Sequence, residues 1–212
     1  MSDALERVCA KLYAPEPGVP DAAFIPVFHD WIRRRVIGGV LLDVADYTHV
    51  PDGPGVVLVG HEFTYSLDRS DGRFGLLVQR RRSTGMGAEE SVAATLSALL
   101  DAAEKLETDR KLHGAIKFDR SIVRIESNDR LRAPHHAAGL ALLRSASDAA
   151  ASRAFPRSVQ VIPGGTEIPL GWAQKRAQPL APSVRDGTFL LPDAAAGGDC
   201  ERIGITDTKR TK

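Results

Sequence analysis

The reactive side chains of this sequence are concentrated between residues 43 and 73. Carboxylates, imidazoles and phenols recur there at short intervals, in a stretch whose alternating pattern predicts β-strands. Side chains of these types perform general acid and base chemistry and can also bind metals. The candidate catalytic residues are His61, Asp43, Glu62 and Asp46, and the candidate binding residues are Tyr65, Arg73, Asp68, Tyr47 and His49.

A metal shared by His49 and His61 is the first hypothesis that strand geometry tests. Residues 51–55 are proline and glycine rich, which predicts a hairpin centred on Gly53. In that register the two histidines share a face but stand roughly 13 Å apart along the strands. Zinc–nitrogen bonds are only about 2.0–2.1 Å long, so we expect no metal site here.

The same register places Asp43 diagonal to His61, and such neighbours lie about 7–8 Å apart. The carboxylate could fix the tautomer of His61 and raise its basicity, as a general base requires. The alternative is a buried, mutually satisfied pair, because most other residues predicted on that face are apolar.

The opposite face carries a second pair of acids. Asp46 and Glu62 are predicted to lie diagonal to each other, in an arrangement suited to a cation or to acid and base chemistry. The alternative is a solvated sheet surface, on which Asp68 pairs with Arg73 across two strands.

Hydrophobic periodicity predicts the elements that must position these residues. We expect an α+β fold, with a mostly antiparallel sheet, a central β-meander and helices packed on one face. A ferredoxin-like topology is the first choice of strand order. The expected strands cover residues 8–13, three segments between 40 and 82, 115–126 and 158–162, and the expected helices cover 24–36, 88–106 and 134–154.

The change in pattern after residue 163 predicts the domain organisation. Residues 1–163 are expected to form a single α+β domain. Residues 164–212 show no sustained helical or strand period, which predicts a poorly structured C-terminal tail. Within it, Trp172 and the apolar residues 189–191 are exceptions that could dock on the domain or on a partner.

Composition restricts the classes of partner. Lys plus Arg number 28 against 27 Asp plus Glu, so no overall positive field predicts nucleic-acid binding. The basic run at residues 80–82 is interpreted as a solvated strand end. No apolar run approaches the roughly 20 residues of a membrane span. Only Cys9 and Cys200 are present and the first residues do not suggest a signal peptide, so we expect a cytoplasmic protein.

Several short motifs resemble those of a family of uncharacterised bacterial proteins. They are FIPVFHDWI at residues 24–32, DVADYTHVPDGPGVVLVGHE at 43–62, YSLD at 65–68 and DGR at 71–73. The similarity covers roughly residues 9–134 and implies that the meander is the family's signature segment. It implies no activity, cofactor or fold.

These observations favour a non-catalytic binding or assembly domain that forms a homo-oligomer through its sheet. The alternative is an enzyme acting on a small-molecule ligand, with the Asp43–His61 or Asp46–Glu62 pair as its acid and base. The sequence names no cofactor for either function.

Overall fold

The computed structural model describes residues 5–50, 53–81, 85–129, 137–154, 160–163 and 185–190. Eight described strands form one sheet, in which every hydrogen-bonded neighbour is antiparallel. The strands are β1 (Val8–Tyr13), β2 (Leu41–Asp46), β3 (Val56–Gly60), β4 (Phe63–Asp68), β5 (Gly75–Arg80), β6 (Asp119–Ser127), β7 (Gln160–Pro163) and β8 (Arg185–Leu190). The helices are α1 (Ile25–Arg34), α2 (Ala88–Thr108) and α3 (Ala137–Ala154), with short 3-10 helices at Asp21–Phe24 and Arg110–Leu112.

The antiparallel sheet and its helices confirm the predicted α+β class. The strand order is β2-β3-β4-β5-β1-β6-β8-β7. Four consecutive strands form a meander, and β1 lies between the last of them and β6. The ferredoxin-like topology is therefore not confirmed.

The hydrophobic core lies between one face of the sheet and the helices. Helix α2 contacts β1 and β5, α1 contacts β2, and α3 packs against α2. The largest fully buried apolar side chain is Trp31, which meets the ring of Phe28 edge-on at 5.4 Å between centroids. This burial orients the opposite face of the sheet away from the described helices.

Helix α1 follows from its sequence pattern, although its end was predicted too late. Pro26 lies in the first turn, where a missing N–H does not break a helical hydrogen bond. The helix was expected to reach Val36 before the glycines at 38 and 39. It ends at Arg34 because Arg35 adopts a left-handed conformation, with φ of 54°.

The meander contains four strands where the sequence predicted three. Residues 61 and 62 form a tight turn that separates β3 from β4. A strand running straight through this turn would place Val57 and Val59 in the core. Instead Val56 and Leu58 belong to the core cluster, since Leu58 pairs with the buried Tyr65 of the next strand. The missed turn reverses the two faces of β3.

The prediction for residues 164–212 falls mostly outside the described residues, as does Trp172. Residues 185–190 within that stretch form β8, which pairs with both β6 and β7. This strand includes Phe189 and Leu190, two of the apolar residues that the sequence marked as able to dock on the domain.

Candidate functional site

The predicted Asp43–His61 pair is wrong, because the hairpin register differs from the expected one. Asp43 pairs with Val59, and Ala45 pairs with Val57 where His61 was expected. His61 instead lies exposed in the turn after β3. The Asp43 carboxylate accepts a hydrogen bond from the backbone N–H of Val44 at 2.8 Å. In the described part of the chain, no hydrogen bond or ion pair joins Asp43 to His61.

The predicted Asp46–Glu62 pair is also wrong. Asp46 pairs with Val56 at the start of β3, whereas Glu62 lies in the turn beyond Gly60, at the other end of that strand. The extended strand from Val56 to Gly60 alone separates the two positions by roughly 13 Å. Asp46 accepts hydrogen bonds from the Thr48 hydroxyl at 2.6 Å and the Thr48 N–H at 2.9 Å, which lower the pKa of its carboxyl.

Glu62 has a structural partner that the sequence did not suggest. Its carboxylate accepts a hydrogen bond from Arg80 at 3.2 Å, and the Arg80 side chain is 1% exposed. Arg80 was expected to be a solvated strand end, but β5 directs it to the helix-covered face, beside Met86. Burial of this guanidinium explains why a carboxylate lies next to it.

The candidate binding residues lie in three separate places. Tyr65 is buried in the core, and burial raises the pKa of its phenol. Tyr47 and His49 are exposed in the hairpin after β2, with their rings stacked at 6.5 Å. Asp68 lies on the face of the sheet away from the described helices. The prediction that it pairs with Arg73 is wrong, because Asp68 pairs with Gly75. The Arg73 guanidinium lies over the Tyr13 ring, 3.8 Å from its centroid.

Asp68 belongs to a buried ion cluster centred on Lys11. The Lys11 ammonium donates hydrogen bonds to Asp68 at 2.8 Å, to Asp71 at 2.6 Å and to the Arg73 carbonyl oxygen at 2.8 Å. An ammonium has three donors, so these contacts use all of them. Lys11 and Asp68 are 2% and 4% exposed, which makes this ion pair part of the interior.

The cluster extends to β6 through Arg124. This residue donates to Asp71 at 2.9 Å and contacts Glu126. The Tyr13 hydroxyl also donates to Asp71 at 2.9 Å. Burial acts to raise the pKa of Asp71, but the hydrogen bond and charge of Lys11, with Tyr13 and Arg124, outweigh it and hold this pKa below its ordinary value.

Sequence reasoning missed most of this cluster. Lys11, Tyr13, Asp71, Arg124 and Glu126 were not among the candidates. One signal was present, since Lys11 interrupts a short apolar strand whose six residues are all buried. A lysine in such a strand requires a buried anion, but the sequence does not identify which one.

A small cavity lies beside the cluster. It has a volume of about 20 Å³ and is bordered by Cys9, Lys11 and Glu126 among others. That is room for about one water molecule, not for a substrate. Burial, and then the charge of Glu126, raise the pKa of the Cys9 thiol, which therefore stays protonated and is a poor nucleophile.

The free edge of the sheet at β2 is the most accessible feature of the meander. Tyr47 N–H donates to the Gly55 carbonyl oxygen at 2.9 Å, so residues 43, 45 and 47 face β3 in the alternating antiparallel pattern. The backbone groups of Val44 and Asp46 therefore point away from the sheet. A bulge at residue 42 interrupts the ladder between residues 41 and 43.

Exposed apolar side chains collect at this edge. Within the described part of the chain, the exposed large hydrophobic residues all lie in β2 or directly beside it. They are Val40, Leu42, Tyr47 and Val50, which are 64%, 53%, 43% and 41% exposed.

No protein-family model matches this chain, and comparison with curated proteins gives no match either. The resemblance of the meander motifs to a bacterial family therefore stays a prediction. Among the described helices, none combines the length and apolar character that a membrane crossing requires.

Proposed function

We propose that this chain is a non-catalytic assembly domain that pairs with a second copy of itself through the β2 edge. The observation that carries this proposal is the collection of exposed apolar side chains at the edge of the meander where, among the described strands, β2 has no outer neighbour. Exposed large apolar side chains gathered on one segment of a folded domain favour an interaction site.

Backbone geometry supports strand addition at this edge. The outward N–H and C=O groups of Val44 and Asp46 match those of another extended strand, which would continue the sheet. Both residues lie in the regular part of β2, after the bulge. The main-chain hydrogen bonds would hold the partner, and the apolar side chains would set which strand fits.

Two features restrict this pairing to a matching partner. Asp43 occupies the outward N–H of Val44, and the bulge at Leu42 shortens the regular edge. Natural sheets use charged side chains and bulges in this way to prevent indiscriminate aggregation. A partner must displace the Asp43 carboxylate, so weak or mismatched strands are rejected.

The test is the molar mass of the chain at increasing concentration, measured by sedimentation equilibrium. The monomer has a mass of 22.8 kDa, and we expect the mass to approach twice that value. Leu42→Lys should keep the chain monomeric, because it replaces an exposed apolar contact by a charge on the edge. Ala141→Lys, at an exposed position of α3, is the matched control and should associate normally.

Thermal unfolding of both variants shows whether the fold is retained. A parent chain that stays monomeric at high concentration would overturn the proposed function. Equal association of the parent and Leu42→Lys would equally exclude β2 as the interface.

A further inference from the structure

The β2 edge and the hairpin that follows it carry negative charge. Residues 36–50 contain Asp43 and Asp46 and no lysine or arginine. Both aspartates are exposed. Their carboxylates accept hydrogen bonds from Val44 and Thr48, within the same segment, and in the described part of the chain no ion pair joins either one to a cation.

Neighbouring elements leave most of this charge uncompensated among the described residues. Strand β3, which pairs with β2, has no charged residue. Helix α1 contacts β2, but its cations Arg33 and Arg34 lie at a carboxylate of the helix itself, and Arg35 forms no ion pair with the aspartates of β2. The His49 imidazole, in the same hairpin, acts on the Asp46 carboxyl through its charge. Each edge therefore presents two carboxylates against one imidazole.

The outward backbone groups limit how two β2 edges can pair about a twofold axis. Such an isologous contact between edge strands is antiparallel. Val44 and Asp46 direct their backbone groups outward from the regular part of β2, and outward residues of antiparallel strands exchange hydrogen bonds with each other. Three registers use these two residues alone. They set Val44 opposite Val44, Val44 opposite Asp46, or Asp46 opposite Asp46 of the second copy.

Like charges meet in each of these registers. With Val44 opposite its counterpart, Asp43 lies diagonal to Asp43 of the second copy. With Val44 opposite Asp46, the two copies of Asp46 lie diagonal to each other, and in the third register they are directly opposite. Diagonal neighbours are about 7–8 Å apart and direct neighbours about 4.5–5.5 Å, and like charges directly opposite are destabilising. An aspartate thus lies near its own counterpart in every register.

Resting on the proposed function, we infer that the aspartates of β2 oppose its assembly, so that the dimer becomes tighter as salt screens them. The Debye length falls from about 30 Å at 0.01 M salt to about 8 Å at 0.15 M, which is the separation of diagonal carboxylates. Main-chain hydrogen bonds and apolar contacts remain as the attractive part of the interface. Asp43 opposes pairing in a second way, because its carboxylate occupies the Val44 N–H that a partner strand must use.

The experiment measures the dissociation constant of the dimer by sedimentation equilibrium at a fixed neutral pH, in about 0.01–0.15 M NaCl. The constant of the parent chain should fall about two- to fivefold across this range, opposite to an interface held by ion pairs. Asp43→Asn and Asp46→Asn should each tighten the dimer about two- to fivefold at the lowest salt concentration. Asp43→Asn combined with Asp46→Asn should bind most tightly and respond least to salt.

Further variants separate charge from hydrogen bonding. Asp43→Asn keeps an acceptor for the Val44 N–H, whereas Asp43→Ala removes both the charge and the acceptor and should tighten the dimer further. Asp119→Asn is the matched control, because Asp119 is exposed on β6 and accepts from Ser121 as Asp46 does from Thr48. This control should keep the affinity and the salt dependence of the parent chain. Thermal unfolding of each variant tests that the domain stays folded.

The outcomes distinguish this inference from the proposed function. If the dimer weakens as salt rises, or if the β2 aspartate variants behave like Asp119→Asn, the opposing role of these carboxylates is refuted. Assembly through β2 still stands in that case, provided that Leu42→Lys prevents it. If neither the parent chain nor the double variant dimerises at any salt concentration, the proposed function itself fails, and the inference with it.

Discussion

Lys11 shows how strongly one residue can depend on distant parts of the chain. Its ammonium is buried in β1, yet its partners Asp68 and Asp71 lie 57 and 60 residues later. A buried cation without these anions would lose its hydration uncompensated. The buried charges are tolerated because each has a partner of opposite sign. Removing either partner should therefore lower the free energy of unfolding.

We predict that Lys11→Met destabilises the fold by about 3–5 kcal/mol, because Asp68 remains as a buried charge without its partner. Denaturant unfolding measures this loss. Lys11→Met combined with Asp68→Asn should recover part of it, since the uncompensated charge is then removed as well. A loss below about 1 kcal/mol for the single variant would contradict the buried pair.

At the scale of elements, the close approach of β1 to β5 limits which side chains fit between them. Gly75 pairs with Tyr13, and a Cβ atom at position 75 would lie 2.3 Å from the Leu12 carbonyl oxygen. A contact this short involves backbone, so it cannot be relieved by turning a side chain. The same approach holds the ends of β1 and β5 around the ion cluster.

Gly75→Ala should therefore cost about 1–3 kcal/mol of unfolding free energy, as overpacking of a close strand contact does. Gly18→Ala is the matched control, because a Cβ atom there meets nothing within 4 Å. We expect the control to change the unfolding free energy by less than about 0.5 kcal/mol. Similar effects of the two substitutions would show that the strands separate more freely than the structure indicates.

For the whole molecule, the two faces of the sheet are stabilised differently. The helix-covered face is mostly apolar, with Arg80 as a buried cation at its margin, whereas the opposite face is stabilised by ions from β1, the β4–β5 turn and β6. Stability that depends on ionised carboxylates varies with pH, whereas burial of apolar surface does not. The ion cluster should therefore make the stability of the fold sensitive to acid.

The direction in which stability changes with pH follows from Asp71. The pKa of its carboxyl is lower in the folded chain than the ordinary value of about 3.9. Its contribution is present above that value and is lost as the pH falls through the folded-state pKa. Asp71→Asn should lower the unfolding free energy at neutral pH and flatten its decline below about pH 5. Parallel pH curves for parent and variant would exclude this role.

Asp101→Asn is the control for this pH dependence. Its carboxylate is 44% exposed on α2 and lies 3.9 Å from Lys105, so it should follow the pH curve of the parent chain. Denaturant unfolding at a series of pH values gives the curves for all three proteins.

Local pattern was sufficient for much of the fold. The six residues of β1 and the start of α2 at Ala88 were predicted as the structure has them. The hydrophobic periodicity of a strand or a helix can be recognised from consecutive residues alone. The hairpin after β2 and the antiparallel class were also predictable. The exposed carboxylates Asp43 and Asp46 were correctly placed in or beside that strand.

The tertiary structure decided which of these residues meet. The two-residue turn at His61 reversed the faces of β3 relative to β4, since side chains alternate along a strand and the turn sets Leu58 opposite Tyr65. The register of the β2–β3 hairpin, which sets Asp43 opposite Val59 and Asp46 opposite Val56, separated the two predicted pairs. Contacts between strands distant in sequence bring Lys11 to its partners. Strand β2 lies at an edge of the sheet because β1 pairs with β5 and not with β2. These outcomes depend on long-range pairing, which no local window of sequence contains.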